Sequence, residues 1–175
     1  KTKTRGKRVR KFPKPWLGDY LFYHYIEQAQ EYALHGKLLK CRGVGFSFKM
    51  GSLSPRNMYV YQGEGNPNFH LASDKGLLQG DKGVYSKVIT VLDWIADTTP
   101  LPKLRLVNSA RSMEIKLGYQ DEYGVNRGPQ SIVFAISLKD NPDKARGIRG
   151  PLVHYEEDGL FPNLEDAWNI NLKSV

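Results

Sequence analysis

The sequence has few of the features that mark disulfide-stabilised, secreted or membrane proteins. Its 175 residues include a single cysteine, Cys41, which excludes an internal disulfide framework and a cysteine-rich zinc site. No run of about 18 apolar residues occurs, so we expect no membrane-spanning helix. The basic N-terminal segment lacks the apolar stretch of a secretory signal, so we expect none. Together these absences predict an intracellular, reducing environment.

Acidic residues are absent from the first eleven positions, which carry seven cations. Of the net charge of +8, these seven leave +1 for the rest of the chain. Such a basic arm either contacts phosphates or an acidic partner surface, or it is a solubilising, disordered end. We therefore predict a basic flexible arm over residues 1–12, followed by one domain over 13–175.

The predicted secondary structure alternates between helices and strands at both ends of the chain. A helix over 20–36 ends at Gly36, an apolar run over 37–41 is compatible with a buried strand, and a short helix begins at about Phe46. Pro55 should end or kink that helix. The other predicted elements are strands over 68–74, 112–119, 130–138 and 151–155 and helices over 83–98 and 163–168. This order favours an α/β domain with a mainly parallel sheet flanked by helices, to which 112–119 and 130–138 add an antiparallel hairpin.

A glycine-rich stretch over 39–52, LKCRGVGFSFKMGS, resembles a phosphate-binding loop. Small residues after a strand let backbone N–H groups surround phosphate oxygens, and the following helix directs its positive end at the same anion. Gly43 and Gly45, on either side of Val44, permit this turn. Ser47, at the helix start, can bind Mg²⁺ through its hydroxyl.

The lysine that should precede Ser47 is missing, and Phe46 stands in its place. Arg42 is the candidate replacement because a guanidinium group can hold two phosphate oxygens at once. Lys40 and Lys49 are further candidates. The alternative interpretation is a tight turn with an arginine that faces solvent.

A second motif, PLVHYEEDG over 151–159, places consecutive acids at the end of a predicted strand. Nucleotide hydrolysis needs one acid to hold Mg²⁺ and another to polarise the attacking water. Glu156 is the candidate for the metal and Glu157 for the water. Acids after a strand are also common in solvated loops, and His154 interrupts the apolar pattern. The four histidines are scattered and have no metal-ligand spacing.

The segments LLKCRGVGFSFK and KARGIRGPLVHYEEDGLFPNLEDAWN together resemble the ATPase domain of the large terminase subunit of tailed bacteriophages. The resemblance covers roughly residues 15–175. Members of that family often carry the working basic residue at the front of the loop, as Arg42 stands here, and Glu156 replaces their more usual aspartate. The resemblance implies an ASCE-type P-loop fold and Mg²⁺-dependent ATP hydrolysis that drives double-stranded DNA into a capsid.

The resemblance also implies roles for individual residues. It assigns Mg²⁺ to Ser47 and Glu156, catalysis to Glu157, and contact with a neighbouring subunit's ATP to Arg146, with Arg149 as the competitor. The implied ATP-binding residues are Arg42, Gly43, Val44, Gly45, Phe46 and Ser47. Adenine would lie near an aromatic cluster at Tyr20, Phe22, Tyr23 and Tyr25, for which core packing is the alternative.

The same resemblance implies the binding partners of the protein, its location and the extent of its ATPase domain. It implies double-stranded DNA, a portal protein and a small terminase subunit as partners, and a homo-oligomeric ring in the full-length protein. It implies the cytoplasm of the infected bacterium as the location, and absence from the mature virion. Family members continue into a coupling motif and a nuclease domain, so we expect 13–175 to be a partial ATPase domain whose isolated activity is weak or undetectable.

Two other functions remain open from the sequence. The missing lysine favours a catalytically weak DNA-binding or assembly module that uses the basic arm and a degenerate loop. A metal-dependent nuclease built on Glu156, Glu157 and Asp158 is the other, although nuclease ligands usually converge from separate strands.

Overall fold

The secondary structure comes from a computed structural model that describes residues 14–40, 45–61, 63, 66–101, 105–139 and 141–172. The α-helices of these residues are α1 (Leu17–Glu31), α2 (Phe46–Val60), α3 (Lys75–Leu78), α4 (Val84–Thr98) and α5 (Leu164–Leu172). Their strands are β1 (Asn68–Ala72), β2 (Arg105–Ser109), β3 (Glu114–Leu117), β4 (Tyr119–Gln120), β5 (Asn126–Arg127), β6 (Ile132–Ser137) and β7 (Leu152–Glu156). Short 3₁₀ turns cover Pro142–Ala145 and Asp158–Leu160. None of the described helices is long and apolar enough to cross a membrane.

The chain divides into two units, Lys1–Cys41 and Arg42–Val175. In the first, α1 begins before the predicted position because the Asp19 carboxylate accepts the Trp16 backbone N–H at 2.9 Å. It ends before Gly36 because Ala33 adopts a left-handed backbone and Leu34 N–H returns to Ala29 O at 2.8 Å.

The strand predicted over 37–41 is wrong for the four of its residues that the structure describes. Residues 37–40 are exposed and lie outside any strand, and Leu39 is 92% exposed. An apolar run becomes a strand only where a neighbouring strand satisfies its backbone groups, and none of the described strands pairs with it. Cys41 lies outside the described residues.

The second unit is built on a five-stranded mixed sheet in the order β2-β3-β6-β1-β7. Strands β6, β1 and β7 are parallel neighbours, whereas β2, β3 and β6 pair antiparallel. The predicted hairpin of 112–119 with 130–138 is therefore confirmed as β3 and β6, and a small separate hairpin, β4-β5, lies between them. The expectation of a mainly parallel sheet needs correction, because β2, for which no strand was predicted, adds another antiparallel pairing.

Alternate residues of β1 face different helices. Phe69 and Leu71 belong to a buried core that includes Ala145 and Ile148 of the crossover before β7, together with Ala167 of α5. On the other face of the sheet, His70 contacts α2 through Ser54, and α2 packs along α4. The parallel sheet therefore has helices on both faces, as its buried strands require.

Helix α2 begins at Phe46 as predicted but does not end at Pro55. A proline inside a helix typically costs about 3 kcal/mol, because it removes a hydrogen bond and its ring crowds the preceding turn. Burial of Met50, Leu53 and Met58 along the helix offsets that local cost, so the helix continues to Val60.

The remaining predicted elements are confirmed with small shifts. Strand β1 ends at Ala72, before the predicted limit, because Asp74 instead caps α3 by accepting Gly76 N–H at 2.6 Å. Helix α4 and strand β7 lie within one residue of their predictions. Helix α5 extends from Leu164 to Leu172 and so continues beyond the predicted end.

Candidate active site

The first turn of α2 meets the end of β7. Ser47 Oγ donates a hydrogen bond to Glu156 Oε1 at 3.0 Å, across a sequence separation of 109 residues. This contact lies at the carboxyl edge of parallel strands β1 and β7, where ligands of open α/β sheets usually bind. The 15-residue helix α2 also directs the positive end of its dipole there. The sequence assigned Mg²⁺ to these two side chains, and the fold brings them together.

Of the predicted ATP-binding residues, the structure describes Gly45, Phe46 and Ser47. Gly45 precedes α2 with φ of 69°, a left-handed conformation that glycine adopts without strain, and its carbonyl accepts the Phe48 and Lys49 N–H groups. The Phe46 ring lies 6.4 Å from the His154 ring, centroid to centroid. The remaining three, Arg42, Gly43 and Val44, lie outside the described residues.

The two consecutive acids have opposite environments. Glu156 is only 5% exposed and ends β7, whereas Glu157 is exposed. Glu157 has φ of 51° and ψ of 55°, a left-handed backbone that costs a residue other than glycine about 1 kcal/mol or more and recurs at functional sites. The buried Glu156 therefore suits a fixed ligand, and the exposed Glu157 can reach a solvent molecule.

Two histidines that the sequence left unassigned lie directly behind Glu156. His154 Nε2 is 3.2 Å from Glu156 Oε2, and His154 Nδ1 is 3.1 Å from His70 Nδ1. His70 Nε2 in turn lies 2.7 Å from Ser54 Oγ of α2. The histidines meet because they are register partners on parallel strands β1 and β7. The signal in the sequence was a histidine in the middle of each of two predicted apolar strands, although their adjacency depends on the pairing.

Burial controls the charge of both rings. Desolvation lowers the pKa of His70 to about 4. Desolvation, reinforced by the neighbouring His70, holds the pKa of His154 well below its usual value. Both histidines are therefore neutral near pH 7, and each ring carries one N–H.

The predicted trans-acting arginine lies away from this contact. Arg146 follows the crossover turn, donates to Asp143 Oδ1 at 2.7 Å, and has a side chain that is 70% exposed. Its neighbours Ala145 and Ile148 pack on the face of the sheet opposite α2. Arg149, the competitor, is also exposed. Both side chains are accessible to another molecule.

The described residues contain no group of three or more His, Cys, Asp or Glu side chains that could hold a metal ion. The Ser47 hydroxyl and the Glu156 carboxylate are nevertheless oxygen ligands of the kind that Mg²⁺ prefers. Because Mg²⁺ is commonly bound through one or two carboxylates together with waters and substrate phosphates, this pair fits a metal that arrives with a nucleotide. It fits less well the self-sufficient acid cluster that a nuclease needs.

The aromatic residues of α1 differ in burial. Phe22 is buried and contacts Tyr23 edge-on at 5.0 Å between ring centroids. Tyr20 and Tyr25 are exposed. Core packing therefore accounts for Phe22, while the exposed tyrosines remain accessible to a ligand.

Comparison of the chain with protein-family models, curated proteins and solved structures finds no match.

Proposed function

We propose that this chain is the nucleotide-binding part of an ATPase that drives DNA packaging, with an ASCE-type P-loop fold. The observation that carries the proposal is the 3.0 Å contact between Ser47, at the start of a helix, and Glu156, at the end of a neighbouring strand. A nucleoside triphosphate requires an anion site and metal ligands. The helix N-terminus provides the first, and the hydroxyl and the carboxylate provide the second. The resemblance to terminase large subunits supplies the substrate and the partners.

In this proposal Arg42 and the N–H groups of 43–47 bind the phosphates, and Ser47 and Glu156 hold Mg²⁺. When bound, Mg²⁺ neutralises charge on the phosphate oxygens. The exposed Glu157 orients the attacking water and accepts its proton at the carboxylate. Arg146 acts on the nucleotide of the next subunit in a ring, which agrees with its exposed position.

The wider role follows the resemblance. Hydrolysis would move the ring along double-stranded DNA into a capsid, in contact with a portal protein and a small terminase subunit, in the cytoplasm of the infected bacterium. Arginine fingers supplied between subunits are worth about 10³-fold or more in rate in other phosphate-transfer enzymes. We therefore expect the isolated chain to bind ATP and to hydrolyse it weakly.

The binding step is tested by calorimetric titration of Mg²⁺–ATP. Ser47→Ala should weaken binding by about tenfold or more, since a contact to a charged group contributes about 1.5–3 kcal/mol. Ser52→Ala is the matched control, because Ser52 Oγ donates within the same helix to Lys49 O at 2.7 Å. Equal affinities for wild type and Ser47→Ala would refute the assigned site.

Phosphate release tests the hydrolysis step. Glu157→Gln should leave Mg²⁺–ATP affinity nearly unchanged and remove residual turnover, because an amide cannot accept the proton of the water. Turnover that survives in Glu157→Gln would assign the base elsewhere.

The second candidate function is a DNA-binding or assembly module without turnover. The missing lysine favours it, and so does the exposed stretch 37–40, which lies outside any described strand, where a P-loop protein would have a buried strand. DNA binding by a wild type that shows no nucleotide affinity would support this alternative over the ATPase.

A further inference from the structure

A groove of about 480 Å³ lies along one side of α1, within the unit Lys1–Cys41. Asp19, Tyr23 and Glu27 follow each other along the helix at intervals of four residues, and Tyr20 and His24 form the adjacent row, so these side chains share one side of α1. The contact between Ser47 and Glu156 uses none of them. The lining combines two carboxylates with aromatic and imidazole rings: Pro15, Asp19, Tyr20, Tyr23, His24 and Glu27.

The chemistry of this lining fits a cationic side chain. The stem of a lysine or arginine packs along aromatic rings, whose faces attract the positive charge, and the Tyr20 ring is 65% exposed for such a contact. The carboxylates of Asp19 and Glu27 can accept the N–H groups of the cation. Asp19 already accepts the Trp16 N–H with Oδ2, but a carboxylate has room for further donors. A nucleotide would instead bring its phosphates towards two carboxylates, which repel them.

The basic arm, residues 1–11, is the part of this chain that is richest in such side chains. It carries seven lysines and arginines and no acid, so its charge is complementary to that of the groove. The arm itself lies outside the described residues, which begin at Lys14, next to Pro15 in the lining of the groove. The arm is therefore tethered at one end of the groove.

The tether is long enough to bring several cations onto the groove. An extended chain spans up to about 23 Å from Lys14 back to Lys7, whereas α1 rises by about 12 Å from Asp19 to Glu27. The cations between residues 7 and 11 can therefore reach both carboxylates. A tether of this length also keeps the arm at a high effective concentration near the groove, which strengthens contacts that are individually weak.

We propose that the groove of α1 binds the basic arm of the same chain, and that DNA phosphates compete with the groove for the cations of the arm. The competition rests on DNA as the partner in the proposed function, whereas binding of the arm by the groove does not. Exposed ion pairs are weak and are screened by salt, so the contact is reversible. DNA, a polyanion of much higher charge density, displaces it. The groove then withholds the arm from weaker anions and releases it to DNA.

Binding of the arm is tested in the full chain without DNA by coupling with a water-soluble carbodiimide, which joins an amine to a carboxylate in direct contact. Peptide mapping of the monomeric product should find lysines of the arm joined to Glu27 in several-fold higher yield than to Glu122, an exposed acid between β4 and β5. Equal yields at the two acids would overturn the proposal. Links to Glu27 that occur only in covalent dimers would place the arm of a second copy in the groove, and would overturn it as well.

The competition is measured as the affinity for a short double-stranded DNA in a fluorescence anisotropy titration. Glu27→Gln should raise this affinity by about two- to fivefold, the range that a single exposed ion pair contributes, and the control Glu122→Gln should raise it less. Glu27 is chosen over Asp19 because the Asp19 carboxylate also holds the start of α1. Deletion of residues 1–11 should remove the difference between wild type and Glu27→Gln.

The outcomes of the two experiments separate this inference from the proposed function. No gain in DNA affinity for Glu27→Gln, or a gain that persists without the arm, would overturn the competition. If the wild type binds no DNA, the competition fails together with the proposed partner, while the carbodiimide coupling still decides whether the groove binds the arm.

Discussion

The burial of His70 makes a prediction about acid stability that is independent of any function. Its ring faces Ser54 from α2 and His154 from β7, and burial lowers its pKa from 6.5 to about 4. Between these two pH values the unfolded chain binds a proton that the folded chain does not. Stability therefore falls as the pH drops from 6.5 towards 4, and His70 makes no difference above that window.

The size of the effect follows from the pKa difference. A pH of about 5 is about 1.5 units below the pKa of His70 in the unfolded chain, and each unit changes the free energy of unfolding by about 1.4 kcal/mol. His70 alone should therefore lower the free energy of unfolding by about 2 kcal/mol between about pH 7 and pH 5. That is a substantial share of the total free energy of unfolding of a typical domain, which is roughly 5–15 kcal/mol.

Urea unfolding of wild type and His70→Asn at both pH values measures this contribution. Asparagine does not titrate, so the variant should be less stable near neutral pH but should lose about 2 kcal/mol less on acidification. His24→Asn is the control, because the His24 side chain is exposed and its replacement should leave the acid loss unchanged. The same acid loss in wild type and His70→Asn would show that His70 accepts a proton in the folded state, and the reasoning from burial would be wrong.

Three other predictions concern packing, phosphate binding and the arm. Gly51→Ala should destabilise the fold by about 1–3 kcal/mol in urea unfolding, because its new Cβ would lie 2.7 Å from Lys87 Cβ. The control Gly159→Ala should change stability little, because a Cβ at Gly159 meets no atom within 4 Å. Equal effects of the two substitutions would contradict the packing argument. Arg42→Ala should weaken Mg²⁺–ATP binding by at least about 2 kcal/mol in calorimetry, and an unchanged affinity would assign the phosphate charge to another cation. Deletion of residues 1–11 should reduce the salt dependence of DNA binding, because fewer counterions are released; an unchanged slope in a fluorescence titration would make the arm a solubility tail.

By itself, the sequence determined the elements whose signals are local. The apolar stripe of α4, the start of α2 at Phe46 and the acid-terminated strand β7 follow from periodicity, glycine placement and residue type over short windows. The pairing of Ser47 with Glu156 was also predicted, because a phosphate-loop helix and an acid-ended strand have a known spatial relation. The hairpin of β3 with β6 was predicted from two alternating runs around a polar connection.

The tertiary structure decided what depends on distant partners. Leu38 and Leu39 suggested a buried strand over 37–41, yet none of the described strands pairs with residues 37–40. Helix α2 continues through Pro55 because burial of its neighbours outweighs a local preference. The meeting of His70 and His154 depends on the register of β1 against β7, where a shift of one residue would turn one ring to the opposite face of the sheet. A single sequence does not encode that register in any short window, because it emerges only when both strands, α2 and the core behind them pack at once.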